Sequence, residues 1–349
     1  MANPVVGVDI GSAALRAVEL DDPSKAMPTV VRVHEVPLPE GSVKRGEVLE
    51  VHTLASAFKR LWAAGGFRTK DVALGVGGQS VIVRELTVPR MPLAQIKESL
   101  PYQVADLLPV PVSDAVLDYY PIGEAESESG PAVNGLLIAA FKQAVTTNIT
   151  AASMAGLNVV SMDLLPFATT RVHALSAPTD GYAVHMNIGA NAMTIVIVLK
   201  GVPQFVRIVP AGGDDTTRAL MTRMSMSRES AEAMKREIGL APVAHTDEQR
   251  RAAEVIHEST SELLTAVRNT LAYFASVRPG VMFDHLSIAG GAMRMRGFSV
   301  ALAESTRIAV VPVNALGAVS LSRSLRGKVG EDRLQSLTTA IGLAIGGGA

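Results

Sequence analysis

The sequence predicts an α/β chain folded into two similar lobes facing each other across a cleft, with a smaller α+β subdomain inserted in the first lobe. Three observations predict it. Val6-Gly7-Val8-Asp9-Ile10-Gly11-Ser12 is a short apolar strand, an acid and a glycine at a tight turn, and a second apolar run, Leu15 to Leu20, follows. An imperfect echo stands far downstream, Met186-Asn187-Ile188-Gly189-Ala190-Asn191, followed by Met193 to Leu199. Composition then changes at Pro89-Arg90-Met91-Pro92, a linker signal. Glycines at such turns let backbone N–H groups approach a phosphate with no Cβ in the way. Asp9 can hold a magnesium ion there, directly or through water. The paired turns therefore read as two sides of a nucleotide grip.

The elements follow in order. Val5 to Leu20 reads as strand, turn, strand, with a further β run at Val30 to Val36. Val51 to Ala64 fits a helix with Leu54, Phe58, Leu61 and Trp62 on one side. Val72 to Val76 and Val81 to Val88 read as strands around Gly77-Gly78. In the insertion, Leu93 to Leu108 reads as a helix kinked near Pro101, and Ala115 to Ile122 and Leu136 to Phe141 as strands. Between those strands, residues 124–130 read as a polar loop, and Gln143 to Ala155 as a helix. The second half opens with strands at Tyr182 to Asn187, Met193 to Lys200 and Pro203 to Val209. Helices follow after Gly212-Gly213 through Met224, at Ser227 to Ile238 and at Glu254 to Val277. Phe283 to Ala289 is a strand, and Phe298 to Ser305 the next helix.

Composition narrows the function. At 349 residues the chain is long enough for two or three domains. A net charge of −1 gives no electrostatic reason to expect a nucleic-acid partner. With no cysteines there are no disulfides or thiolate metal sites, and the seven histidines show no ligand-type pairing. No stretch reads as a signal peptide or reaches the roughly 18 apolar residues of a spanning helix. The expectation is a cytoplasmic protein that meets a membrane only through partners.

Three further motifs carry the chemistry. Gly212-Gly213 before a helix start is either a plain turn or an anion site made of unpaired N–H groups. Glu232 and Lys235 share a helix face, as a solvated ion pair (the reading favoured on this motif alone) or as hydrogen-bond partners for ribose hydroxyls. Ala289-Gly290-Gly291-Ala292-Met293, then Arg296-Gly297-Phe298, is a strand ending in paired glycines on which a flat ring such as adenine could pack.

Taken together, these stations resemble the actin-like ATPase superfamily, a duplicated ribonuclease H-like fold, in order and spacing. Val159 to Ala168 would be its connecting segment and Ala340-Ile341-Gly342-Leu343-Ala344 its returning helix. Within the superfamily the chain resembles the PilM family of type IV pilus assembly proteins over nearly its whole length. The carriers are Gly7 to Ser12 with Val18-Glu19-Leu20, the Pro92 to Pro109 stretch with Gln103 and Leu107, and Asp163 to Ala168. Asn187-Ile188-Gly189, Arg207-Ile208 with Gly212-Gly213, and Ala289 to Ala292 complete them. The family looks like the cell-division protein FtsA, including the place of the insertion. The resemblance implies a first core domain at 1–88, to which 160–178 and 337–349 return. It implies an insertion at 89–159 and a second lobe at 179–336, with outer helices at about 214–280.

The resemblance also implies a role. Such proteins bind ATP (or ADP) with Mg²⁺ and sit at the inner face of the cytoplasmic membrane. They capture the N-terminal peptide of a PilN-like membrane protein and join it to pilus motor ATPases. The residues it assigns to the nucleotide are Gly11, Ser12, Arg16, Asn187, Gly189, Ala190, Asn191, Gly212, Gly213, Glu232, Lys235, Gly290, Gly291 and Met293. Asp9 would hold the metal, and Asp9 with Asp163 would be the catalytic candidates. Leu100, Tyr102, Val104, Leu107 and Leu108 are candidates for the peptide groove, or equally for the subdomain core. Two departures bear on chemistry. Asn187 stands where the superfamily usually carries Asp, and Leu165 stands where an acid would orient the attacking water. Hydrolysis is therefore expected to be weak or absent. The competing expectations are a small-metabolite or sugar kinase on the same fold, and an FtsA-like filament protein.

Overall fold

The computed structural model describes residues 4–128, 130–240 and 246–348, with the side chain of Ala292 left out. The segments read above at 1–3, 129, 241–245 and 349 lie outside the described residues.

The first lobe is built on a six-stranded sheet. The hairpin β1 (Val5–Ile10) and β2 (Ala14–Asp21) leads to β3 (Thr29–Pro37), the short pair β4 (Val43–Lys44) and β5 (Glu47–Val48), and helix α1 (Val51–Gly65). Leu54, Phe58 and Leu61 are fully buried, at the spacing that puts them on one helix face. Gly66, at φ +62°, ends the helix in the left-handed conformation that glycine adopts without strain. Strand β6 (Asp71–Val76) lies parallel to β1.

The inserted segment comprises β7 (Val81–Pro89), α2 (Leu93–Gln103), β8 (Ala115–Ser127), β9 (Gly130–Phe141) and α3 (Lys142–Met154). It differs from expectation in three places. Strand β7, read from the sequence as part of the first core domain, pairs with β9 in the three-stranded sheet β7-β9-β8. The region read as a polar loop is mostly strand: β8 runs on to Ser127 and pairs with β9 from Gly130. The helix stops at Gln103, and Ala105–Leu107 continues as a 3-10 turn. The groove candidates also divide. Leu100 and Val104 are fully buried with Tyr119 and Leu137 in the subdomain core, so they offer a peptide no surface. Leu107 and Leu108 pack against that core, whereas Tyr102 is 89% exposed. Leu100→Ala should cost about 2–5 kcal/mol in denaturant unfolding, and Tyr102→Ala no more than about 0.5 kcal/mol.

The chain returns to the first sheet through β10 (Asn158–Leu164), which pairs with β6, and leaves it through helix α4 (Leu165–Ser176). Strands β11 (Tyr182–Ile188), β12 (Met193–Leu199) and β13 (Val202–Val209) repeat the opening meander. Helices α5 (Gly213–Met224), α6 (Arg228–Ile238) and α7 (Asp247–Val277) follow. The last begins earlier than the apolar periodicity suggests, because Thr246 and Gln249 form a reciprocal capping box. Then come β14 (Phe283–Ala289), α8 (Phe298–Thr306), β15 (Val310–Pro312), β16 (Ser320–Leu321), α9 (Glu331–Ser336) and α10 (Thr338–Gly347). The second sheet has the order β13-β12-β11-β14-β15, and the first the order β10-β6-β1-β2-β3-β16. Each therefore places an antiparallel three-strand meander beside parallel strands, which is the structural form of the echo in the sequence.

Two helices join the lobes. Helix α10 lies on the first sheet, where a Cβ on Gly7 would come within 2.0 Å of the Ala340 carbonyl oxygen. Helix α4 lies against the second sheet, with Phe167 packed among Ala183, Val196, Val198 and Val206. The helices touch each other backbone to backbone: a Cβ on Gly342 would sit 1.8 Å from the Ala168 carbonyl oxygen. Beneath α4, His173 Nδ1 lies 2.6 Å from Ser287 Oγ, and its ring centroid is 5.1 Å from that of His185. Both imidazoles are buried, and burial is the first cause of their lowered pKa values, with nearby histidines second. His185 is brought down to about 3.

Candidate functional site

The first turn makes its polar contacts within its own lobe. Asp9 faces Arg16 across the hairpin, with Oδ2 3.8 Å from Nη1, and Arg16 also reaches Glu35 at 3.2 Å. Only 15% of the Asp9 side chain is exposed. Burial raises its pKa, Arg16 opposes that, and Glu35 adds to it. The Gly11 N–H closes the turn on the Ala14 carbonyl at 3.1 Å, and Gly11 and Ser12 are half-buried at its tip.

The second turn is locked onto the start of α5. Gly189 N–H donates to the Ala192 carbonyl at 2.9 Å, as Gly11 does to Ala14. The Gly189 carbonyl accepts from Gly213 N–H at 3.0 Å and that of Ala190 from Asp214 N–H at 2.8 Å. A Cβ on Gly212 would lie 2.5 Å from both carbonyl oxygens, so only glycine permits this approach. Gly290 presses on the same turn from the other side. It has φ +96°, and a Cβ there would meet the Ile188 carbonyl oxygen at 2.3 Å and Asn187 Oδ1 at 2.8 Å. Gly291 differs, since a Cβ there would meet nothing within 4 Å. It starts the 3-10 turn Gly291–Arg294, from which Met293 packs onto the second-lobe core.

Glu232 and Lys235 form neither a solvated surface pair nor a pair of free hydrogen-bonding groups. Only 11% of the Lys235 side chain is exposed. Its Nζ donates to the Gly213 carbonyl at 2.9 Å, to Thr217 Oγ1 at 2.7 Å and to Glu232 Oε1 at 2.6 Å, which uses all three ammonium protons. Burial pushes the Glu232 carboxyl upward, but hydrogen bonds from Lys235 and Thr217 outweigh it and hold the pKa below its usual value. Lys235 thus clamps α6 to the first turn of α5, and the outer carboxylate oxygen of Glu232 stays toward Arg236 at 3.7 Å. Thr217 carries half of this clamp and went unnoticed in the sequence.

Asn187 to Ala190, Gly212-Gly213, Lys235 with Glu232, and Gly290 are therefore one connected cluster. Asn191 is half-buried at the edge of its turn. Asp163 is engaged elsewhere. Its carboxylate is ion-paired with Arg171, whose Nη1 also donates to the Gly342 carbonyl at 3.2 Å. Leu165 packs over Gly75 and Gly77, where a Cβ would meet its side chain at 2.1 and 2.9 Å. No local motif marks Arg228, which reaches Glu40 of the first lobe at 3.0 Å and also pairs with Asp214. A cavity of about 1130 Å³ flanks α6 and α7, lined by Arg207, Gly239, Leu240 and the Glu254–Asn269 face of α7. The glycine turns do not line it.

Chemically, the cluster brings the turn and the helix start together with glycine at the tightest approaches, but the N–H groups of Gly189, Gly213 and Asp214 are spent on backbone carbonyls and that of Gly212 on Asp215 Oδ2, so the unpaired donors expected at Gly212-Gly213 are already engaged within the chain. Among the described residues no group of three or more His, Asp or Glu side chains is arranged to hold a metal. A magnesium ion here would take Asp9, water and the ligand's own oxygens, a donor set normal for that ion. Among the described residues no helix is long and apolar enough to cross a membrane.

Comparison with known proteins gives the family and the fold. A family model described as type IV pilus assembly protein PilM matches residues 7–347. The cell division protein FtsA of Bacillus subtilis is 24% identical over 309 residues, 76% of this chain and 69% of its own. Among solved structures, a PilM-PilN type IV pilus biogenesis complex superposes with a TM-score of 0.86 at 27% identity over 100% of both chains. An MreB of Spiroplasma citri bound to AMPPNP aligns at a TM-score of 0.53 and 10% identity, covering 90% of this chain and 94% of its own.

Proposed function

This chain belongs to the type IV pilus assembly protein PilM family and has the actin-like ATPase fold, and from that premise we propose that it is a nucleotide-holding scaffold of the pilus platform. It takes ATP or ADP between its lobes, with Mg²⁺ held by Asp9. It captures the N-terminal peptide of a PilN-like membrane protein, links that protein to the pilus motor ATPases, and so works at the inner face of the cytoplasmic membrane. The observation that carries the nucleotide reading is the interlocked cluster of the Gly189 turn, the start of α5 and the end of β14, in which Gly212 and Gly290 approach the turn so closely that a Cβ at either would meet backbone oxygen at 2.5 and 2.3 Å. Tyr102, exposed beside the buried Leu100 and Val104, is the proposed anchor for the peptide.

Asp163 is tied to Arg171, Asn187 brings no charge, and Leu165 is apolar. These three features remove the carboxylates that the connecting segment and the second turn would otherwise offer to orient a water or deprotonate an acceptor hydroxyl, which supports a holder over a kinase. Turnover should stay below about 1 per minute in a steady-state ATPase assay, against about 1 s⁻¹ or more for committed phosphoryl-transfer enzymes. Faster turnover that Asp9→Ala abolishes would refute a holding role. Calorimetric titration of the PilN-type peptide, with and without nucleotide, tests the scaffold. Peptide affinity should change with nucleotide, nucleotide affinity should change by the same factor with peptide, and Gly212→Val should remove nucleotide binding. Equal peptide affinity in both states would separate the two functions.

A further inference from the structure

A second, cationic hollow lies at the opposite edge of the first sheet. It has a volume of about 540 Å³ and sits between β3 and the segment that follows β16. Its floor is organised by Glu19, whose side chain is 0% exposed. Arg32 Nη1 lies 3.3 Å from Glu19 Oε2, Arg68 N–H donates to the same oxygen at 3.2 Å, and Arg68 Nε stands 3.5 Å from Oε1. One carboxylate cannot satisfy two guanidiniums, each with five N–H donors. The side chains of Arg32 and Arg68 remain 33% and 50% exposed, and both line the hollow. Lys328 and the hydroxyls of Ser322 and Ser324, themselves 3.0 Å apart, line the facing wall. Three cations above a single buried anion leave two positive charges in excess around a volume of ordinary ligand size.

We propose that this hollow is a binding site for a phosphoryl-bearing anion. The Arg32 guanidinium, hydrogen-bonded to the buried carboxylate, and the Arg68 guanidinium, drawn toward it at 3.5 Å, keep outer N–H groups toward the hollow before the ligand arrives. That geometry matches the paired oxygens of a phosphate, as a lone flexible lysine would not. The serine hydroxyls add donors that rotate to suit. The nucleotide cluster does not share these residues, so the site stands apart from the proposed scaffold function. A phosphate monoester free in solution and an anionic phospholipid headgroup present the same chemistry.

Calorimetric titration of the full chain with inorganic phosphate tests the site, using Arg68→Gln, Lys328→Gln and, as a reference on the exposed face of α7, Arg268→Gln. Arg68→Gln and Lys328→Gln should each weaken phosphate binding at least about tenfold, and Arg268→Gln should leave it unchanged. Lys328 is exposed and outside the Glu19 cluster, so its variant should keep the wild-type melting temperature and remain interpretable if Arg68→Gln unfolds. Co-sedimentation with vesicles of phosphatidylcholine, with and without phosphatidylglycerol, separates the two sources. Phosphatidylglycerol-dependent sedimentation lost in Lys328→Gln assigns the site to headgroups, and phosphate binding without sedimentation assigns it to a soluble ligand. Absence of both in the wild type, or binding that Lys328→Gln leaves intact, overturns the proposal.

Discussion

Acidification from pH 7 to pH 4 lowers the unfolding free energy of this protein steeply, and His173 and His185 set much of the slope. Both imidazoles are buried beneath α4, and their folded-state pKa values lie below the unfolded value near 6.5, that of His185 at about 3. Below pH 6.5 the unfolded chain therefore takes up protons that the native state refuses. Stability is fully present above that pH and is lost as pH falls toward the folded values. Each excluded proton contributes a slope of at most about 1.4 kcal/mol per pH unit, so His185 alone gives about 2 kcal/mol between pH 6.5 and 4.5, and His173 adds to it with the same sign. Asp9 acts with the opposite sign: its raised pKa costs stability as pH rises above the unfolded carboxyl value. Denaturant unfolding at a series of pH values, for wild type and His185→Gln, measures the effect. The variant should lose the His185 share, about 2 kcal/mol over that interval, and an unchanged slope would mean that other groups carry it.

The second large effect is expected at Gly342. The helical backbones of α4 and α10 touch there, and an added methyl would have to occupy the space of the Ala168 carbonyl oxygen. The obstacle is backbone, so no rotamer change relieves it. Gly342→Ala should cost about 3 kcal/mol or more, the upper end for overpacking, and lower the melting temperature by about 6–12 °C. Gly123→Ala is the matched comparison, because a Cβ at Gly123 meets nothing within 4 Å. That variant should be neutral or slightly stabilised, since alanine reduces the freedom of the unfolded chain. Equal melting temperatures for the two variants would show that the helices separate at little cost.

The family and the two-lobed fold were legible because both hairpins write themselves locally. An apolar run, a polar residue and a glycine turn lie within about ten residues of each other at Asp9 and again at Asn187. The long hairpin of the insertion was not legible. Strand β8 is an edge strand with most of its distal residues exposed, so Glu124 and Glu126 show no apolar alternation and read as loop. Leu100 and Tyr102 are two residues apart, yet one is core and the other surface, a distinction made by α2 packing on β8 that the string does not encode. Lys235 and Glu232 advertised their pairing through helical spacing, but their capture of Thr217 and the Gly213 carbonyl depends on how α6 docks on α5. The meeting of His173 with Ser287, and of Arg228 with Glu40, spans well over a hundred positions and leaves no local trace.

The bare backbone contact between Gly342 and Ala168 also constrains how the molecule can move. Arg171 of α4 hydrogen-bonds to the Gly342 carbonyl and Val172 shares an apolar cluster with Ala340, Ile341 and Ala344 of α10, so side chains hold the crossing on either side of the contact, while the closeness of the backbones resists sliding. As the crossing point of the helices that join the lobes, the contact is where any scissoring of the lobes would pivot, with displacement growing with distance from it. The bridge from Arg228 to Glu40 spans the two arms and must stretch or break as they part, so raising the ionic strength should loosen the jaws without touching the pivot.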